Sequence, residues 1–176
     1  AAAAGGVTHL CCTPDTNPVI DTPAVASLVQ ERAHQSGFAK ILPLGALTRE
    51  LKGERLSEMH ALKESGCIAM SQLRYPLKNT LVLQRCLEYA TTFDLPVFFQ
   101  SQDYAIASAG LVRQGMKSAT LGLPGIPDTA ETIGISRDLL LIEQTGTRAH
   151  FGQLSCVRSV ELIASAQGKG LPVTAD

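Results

Sequence analysis

Apolar residues along this chain come in short continuous runs, separated by segments with helical spacing. "GVTHLCCTP" (6–14) is β-rich and ends in a turn. "TPAVASLVQERAHQSG" (22–37) opens with Thr22 as N-cap and Pro23 at the first helical position. Ala26, Leu28, Val29 and Ala33 form its apolar side, and Gly37 closes it. "AKILPLGAL" (39–47) predicts a strand, "RLSEMHALKESG" (55–66) a helix, and "CIAMSQL" (67–73) a strand. "NTLVLQRCLEYATTFD" (79–94) predicts a helix capped by Asn79, and Leu95 to Phe99 a short buried strand. Segment 104–128, with "GLPGIP", reads as turn-like because of its Gly and Pro. After it come a helix over 129–146, a strand over 148–155, a helix over 159–170 and a strand beginning at 171.

Regular alternation of about six strands with about five helices argues for a parallel sheet joined by right-handed crossovers. The strands are uninterrupted apolar runs, as expected where both faces are covered. No GxGxxG or GxxxxGK(S/T) follows a strand, which removes the usual dinucleotide and P-loop readings. The expected fold is α/β, a section of a (β/α)8 TIM-type barrel rather than a doubly wound sheet. Six strands do not close an eight-stranded barrel, so the ends of the barrel are expected to be missing and the parent chain to be longer.

The 176 residues are 45% hydrophobic and 18% charged, a globular composition, with a net charge of −1. No basic run suits a phosphate backbone and no apolar run suits a bilayer span, so neither nucleic acid nor a membrane is expected as a partner. "AAAAGG" lacks the layout of a signal peptide and reads as the tail of a helix stopped by Gly5 and Gly6. Cys11, Cys12, Cys67, Cys86 and Cys156 form no CxxC pair. They read as small buried hydrophobes in a reducing, cytoplasmic setting.

In a barrel enzyme the chemistry sits at the C-terminal strand ends. Here those ends read Thr13 to Asn17, Leu44-Gly45, Ser71 to Arg74, Gln100 to Asp103, Gln153 to Ser155, and Asp176. They carry glutamines and scattered aspartates and no histidine, a poor set for binding zinc or activating water. The strand "LPVFF" thus runs into neutral amides where a ligand or a base is expected. His34 and His60 fall on helices and read as solvated. His9 and His150 fall inside strands and read as core histidines. No histidine pair has H-x-H or HExxH spacing, and no G-x-S-x-G elbow is present. Gly37, Gly66, Gly146 and Gly170 read as helix stops, and Pro124 and Pro127 as loop punctuation.

"GGVTHLCCTPDTNPVIDTP" resembles the dihydroorotase segment G-G-F/V-T-T-x-x-x-M-P-N-T-x-P-x-x-D-x-P. "GALTRELKGERLSEMHALKESGCIAMSQ", "LGLPGIPDTAETIGISRDLLLIEQTGTRAHFGQLS" and "SVELIASAQGKGLPVTAD" resemble later parts of that family, so the match covers essentially the whole chain. The resemblance implies the amidohydrolase (β/α)8 barrel. It places residues 1–176 at the middle of one domain, from about strand 2 to strand 7.

The departures concern the site. Active relatives read F-S/T-D-D-G where this chain has Met70-Ser71-Gln72-Leu73-Arg74, and S-H-C-E-D where it has Phe99-Gln100-Ser101-Gln102-Asp103. They read H-I/V-x-H-V/L-S where it has His150-Phe151-Gly152-Gln153-Leu154-Ser155, and P-N-T where it has Pro14-Asp15-Thr16. The resemblance makes Gln72, Leu73, Gln100 and Gln153 the former metal positions and Asp15 a former substrate position, with no catalytic residue and no metal left. Such chains are similar to non-catalytic dihydroorotase-like proteins, structural partners of the aspartate transcarbamoylase catalytic chain in a cytoplasmic hetero-oligomer of pyrimidine synthesis. Two other readings stay open. One is an active zinc-dependent dihydroorotase or related cyclic amidohydrolase with ligands outside this segment. The other is a sensor or storage barrel with Asp15, Arg74, Gln100 and Gln153 as ligand contacts. No cofactor is expected, and zinc only under the active-enzyme reading.

Overall fold

The computed structural model describes residues 1–73 and 75–176. Arg74 therefore lies outside the described residues. Two compact units divide the chain, Ala1–Phe98 and Phe99–Asp176.

The first unit opens with a 3-10 turn, Ala3–Gly5, closed by Gly6 at φ 82°. Strand β1 (His9–Cys12) pairs in parallel with β2 (Lys40–Ala46) through helix α1 (Pro23–Ser36). Pro23 stands at the start of α1, and Gly37 ends it at φ 68°. A left-handed residue there lets the Gly37 N–H bond back to the Ala33 carbonyl, and only glycine adopts that backbone without strain. A 3-10 turn, Arg49–Leu51, precedes α2 (Met59–Glu64), which begins later than the spacing predicts because the chain first makes a bridge between Thr48 and Leu56. Strand β3 (Ala69–Leu73) pairs with β2 in parallel. Helix α3 (Thr80–Thr92) carries the expected cap, since Asn79 accepts from the Leu81 N–H. Pro43 to Ala46 and Ala69 to Gln72 are buried without a break, as strands covered on both faces must be. Ile20, Leu44, Leu47, Met59, Leu62, Met70, Leu83 and Leu87 form the core, each under 3% exposed.

Strand β4 (Val97–Phe99) ends at the division. Within the second unit the Phe99 carbonyl accepts from the Gly152 N–H at 2.9 Å, just after β7 (Ala149–Phe151). Strand β7 pairs in parallel with β8 (Val173–Ala175). Helices α6 (Asp128–Thr145) and α7 (Val157–Gly168) alternate with these strands. Segment 104–128 is more ordered than its composition predicts. It holds α4 (Tyr104–Ala107), α5 (Met116–Thr120) and a small parallel pair, β5 (Val112–Arg113) with β6 (Gly125–Ile126). Gly110 and Gly125 allow the close approach, since a Cβ at Gly125 would stand 2.7 Å from the Gln114 Cα.

Several side chains sit differently from the expectation. Cys11 is exposed and Cys12 half-buried. Cys67 lies just before β3, not in it, and only Cys67, Cys86 and Cys156 among the described cysteines are buried. Burial pushes the Cys67 thiol up to about 11 and the Cys86 thiol up to about 12, so both stay protonated and inert. His9 is exposed rather than a core residue, and its ring shares a hydrogen bond with the Thr8 hydroxyl at 3.0 Å. No helix among the described residues is long and apolar enough to cross a membrane.

Candidate functional site at the strand ends

The candidate residues fall into both units. In the first unit, Asp15 follows β1 in a turn containing a cis Asn17–Pro18 bond. The Thr13 hydroxyl donates to Asp15 Oδ1 at 2.7 Å. Burial first, and the neighbouring Asp15 carboxylate second, raise the Cys12 thiol.

Gln72 is the best-anchored of the candidates. It is 5% exposed. Its Oε1 accepts from the Thr48 hydroxyl at 2.9 Å, and its Nε2 donates to the Leu51 carbonyl at 2.9 Å. The Thr48 oxygen in turn accepts from the Gly53 N–H at 3.0 Å. Glu50 (φ 54°) and Leu51 (φ 57°) both stand in the left-handed region, where a side chain clashes with its own backbone. Gln72 therefore clamps a strained turn, and its polar atoms are used there. Leu73 ends β3 at φ 51° and brings no donor atom.

In the second unit, Gln100 and Gln153 come together. Gln100 Nε2 donates to Gln153 Oε1 across 2.7 Å. Gln153 sits in the turn after β7 at φ 62°. That turn is tied to β8, since the Gln153 N–H donates to Asp176 Oδ1 at 2.9 Å and the Leu154 N–H to the Asp176 carbonyl at 3.2 Å. The Gln153 N–H foremost, and His150 beside it, hold the Asp176 carboxyl below its ordinary range. His150 Nε2 lies 3.5 Å from Asp176 Oδ2, and its Nδ1 shares a hydrogen bond with the Thr174 hydroxyl at 2.9 Å.

Beside this pair is a cavity of about 240 Å³, lined by Gln100, Gln102, Arg113, Glu131, Gln153 and Ser155 among others. Its charges are already satisfied. Arg113 grips Asp128 with two hydrogen bonds of 2.7 Å and donates to the Ser155 carbonyl at 3.0 Å. Glu131 accepts from the Ser155 N–H at 3.1 Å, from the Ser155 hydroxyl, and from the Cys156 N–H at 3.4 Å. Burial raises the Glu131 carboxyl, but the hydrogen bonds from Ser155, Ser159 and Cys156 together outweigh it, and the net direction is downward.

Deeper in, Ser101 donates to Asp138 Oδ2 at 2.6 Å, and Arg137 Nε donates to Asp138 Oδ1 at 2.9 Å. Asp138 is fully buried. That burial raises its carboxyl, with Arg137 and Ser101 opposing. Sequence reading missed Arg113, Glu131 and Asp138. The available signal was an acidic residue, Asp138, that continues the four-residue spacing of Ala130 and Gly134 along one helix face.

A zinc ion needs imidazole, thiolate or carboxylate donors in a converging set. Two primary amides that hydrogen-bond each other do not fit this requirement, and Gln72 has its polar atoms committed elsewhere. Among the described residues no three His, Cys, Asp or Glu side chains come together in a way that could hold a metal ion.

Comparison with known proteins gives these residues their context. The chain is similar throughout to L-hydantoinase (dihydropyrimidinase) from Arthrobacter aurescens, with a TM-score of 0.77 at 20% identity, over 99% of this chain and 40% of that one. That likeness bears out the (β/α)8 barrel reading of the alternating strands and helices. The chain is 54% identical over 176 residues to a dihydroorotase-like protein of Pseudomonas aeruginosa and 53% identical to one of Pseudomonas putida. It is 43% identical to a dihydroorotase of Syntrophobacter fumaroxidans. In each case it spans about two fifths of the relative's length, 42%, 42% and 40%. The dihydro-orotase-like family profile matches residues 1–159, and the chain belongs to that family.

Proposed function

We propose that this chain is the middle of a dihydroorotase-like barrel that does not hydrolyse its family's substrate and serves as a structural partner of the aspartate transcarbamoylase catalytic chain in pyrimidine synthesis. The observation that carries the first half is the 2.7 Å bond between Gln100 and Gln153. Opening a cyclic amide near neutral pH needs a strong nucleophile, which a bound metal makes by lowering the pKa of water to about 7. A primary amide neither accepts a proton at that pH nor holds zinc. Gln72, spent on Thr48 and Leu51, adds nothing to such a centre.

The partner half rests on the family resemblance. It is supported by the higher identity to the two proteins named dihydroorotase-like than to the one named dihydroorotase. Leu111 (70% exposed), Met116 (87%) and Leu121 (69%) supply apolar surface of the kind that association covers. A cytoplasmic site of action goes with that pathway.

The test uses the intact protein, purified without chelator. Metal is measured by mass spectrometry, dihydroorotate hydrolysis is assayed on the same sample, and co-purification with the aspartate transcarbamoylase catalytic chain is scored. Substoichiometric zinc, no turnover and a stable complex are expected. Stoichiometric zinc with turnover would overturn the reading in favour of an active enzyme that takes its ligands from elsewhere.

A further inference from the structure

Three successive turns of α6 hold three successive residues of the loop that follows β4. Asp138 accepts from the Ser101 hydroxyl at 2.6 Å. Gly134 lies so close that a Cβ there would stand 2.7 Å from the Gln102 nitrogen. The Ala130 carbonyl accepts from the Asp103 N–H at 2.7 Å. Ala130, Gly134 and Asp138 are spaced by four, so they stack along one buried stripe of the helix. The loop residue just ahead of this grip is Gln100, whose amide meets Gln153.

We infer that Asp138 is a positioning residue: through Ser101 it fixes the loop after β4, and so sets the Gln100 amide against Gln153 without help from a metal ion. The geometry supports this on three counts. Asp138 is fully buried, yet its carboxylate is satisfied by two different partners, Ser101 on the loop and Arg137 on its own helix. A buried carboxylate is retained only where its hydrogen bonds are met, so its loss leaves Ser101 and Arg137 without their acceptor. Gly134 lets the helix backbone approach the loop backbone, so the loop has little room to settle elsewhere. The far end of the same loop is then fastened again, as Asp103 caps α4 by accepting from the Ala105 and Ile106 N–H groups at 3.0 Å.

The inference rests on the reading that no metal sits at Gln100 and Gln153, and its test separates the two. The intact protein is labelled with 15N, and the side-chain amide resonances of Gln100 and Gln153 are followed by NMR. Ser101→Ala removes the link while leaving Asp138 and its Arg137 pair in place, so it folds even if Asp138→Ala does not. The expected result is loss of the distinct Gln100 and Gln153 amide shifts in Ser101→Ala, restoration in Ser101→Thr, and unchanged backbone resonances in β8. Unchanged Gln100 and Gln153 amides in Ser101→Ala would overturn the positioning role. In a separate arm EDTA is added to the unsubstituted protein. Movement of the same resonances there would show that a metal organises the loop and would remove the premise, whatever Ser101→Ala does.

Discussion

Thr48 and Gln72 meet through a buried hydrogen bond, with the Thr48 hydroxyl donating to Gln72 Oε1 at 2.9 Å. The position that the family resemblance marks as a metal carboxylate thus serves here as a structural clamp. Both ends of the amide are used, and Leu51 on the donor side is held in the left-handed region. Gln72→Leu keeps the approximate volume but leaves the Thr48 hydroxyl and the Leu51 carbonyl without their partner. Each buried group left unsatisfied costs about 1–3 kcal/mol. The expected outcome is a loss of about 2–4 kcal/mol in denaturant unfolding of the intact protein. A loss below about 1 kcal/mol would mean the amide is dispensable and the turn holds itself.

Gln153 tests the other half. Its side chain is exposed and bonds to Gln100, but its backbone is at φ 62°. A left-handed non-glycine residue costs about 1–2 kcal/mol, and an exposed amide–amide bond contributes at most about 1 kcal/mol. Gln153→Ala loses the bond and keeps the strain. Gln153→Gly loses the bond and relieves the strain. The glycine variant is therefore expected to be the more stable of the two by about 1 kcal/mol, measured by the shift in denaturant midpoint at constant slope. Equal stabilities would show that the left-handed backbone at this position costs no more than the extra chain entropy of glycine.

Much of this was legible from residue order. Thr22-Pro23 with Gly37, and Asn79 with its helix, are local signals, and local signals report the helix ends they sit in. Alternation of apolar runs with helical spacing reports a parallel sheet for the same reason. Segment 104–128 was less legible, because its two-residue strands are too short for a periodic pattern and Arg113 is fixed by Asp128 and the Ser155 carbonyl, both distant in sequence. Gln100 and Gln153 could be placed at strand ends, but their mutual bond spans 53 residues. Gln72 was placed correctly at the end of β3, yet its commitment to Thr48 and Leu51 depends on a left-handed turn that no residue type there announces. His9 and Cys11 read as buried because strands usually are, whereas β1 carries exposed side chains.

Acid should act on two carboxylates of α6 with opposite sign. Asp138 has its folded value raised by burial. Its contribution is therefore fully present below the unfolded value and is lost as pH rises through the folded one. Glu131 has its folded value lowered, because its hydrogen bonds outweigh burial. Its contribution is present above the unfolded value and is lost as pH falls through the folded one. Stability measured as a function of pH should thus lose its acid-side decline in Glu131→Gln, and lose the decline that accompanies rising pH in Asp138→Asn. If the two variants have parallel pH profiles, the assignment of opposite signs is wrong.

Gly134 gives the sharpest test of how tightly α6 grips the loop. Glycine inside a helix normally costs about 1 kcal/mol relative to alanine, so replacing it should stabilise wherever space allows. At Gly134 space does not allow it, since the new Cβ would stand 2.7 Å from the Gln102 nitrogen and 3.1 Å from the Gln102 Cα. These are backbone atoms and cannot swing aside like the end of a flexible side chain. Overpacking of this kind costs about 1–3 kcal/mol, which exceeds the gain in propensity. Gly168, the last residue of α7, is the matched control, with nothing within 4 Å of its added Cβ and no positive φ. Gly168→Ala is expected to raise the melting temperature slightly and Gly134→Ala to lower it, by unfolding of the intact protein under identical conditions. Stabilisation by Gly134→Ala would mean that the loop after β4 yields to the helix, and the close contact with Gln102 would no longer explain why a glycine stands there.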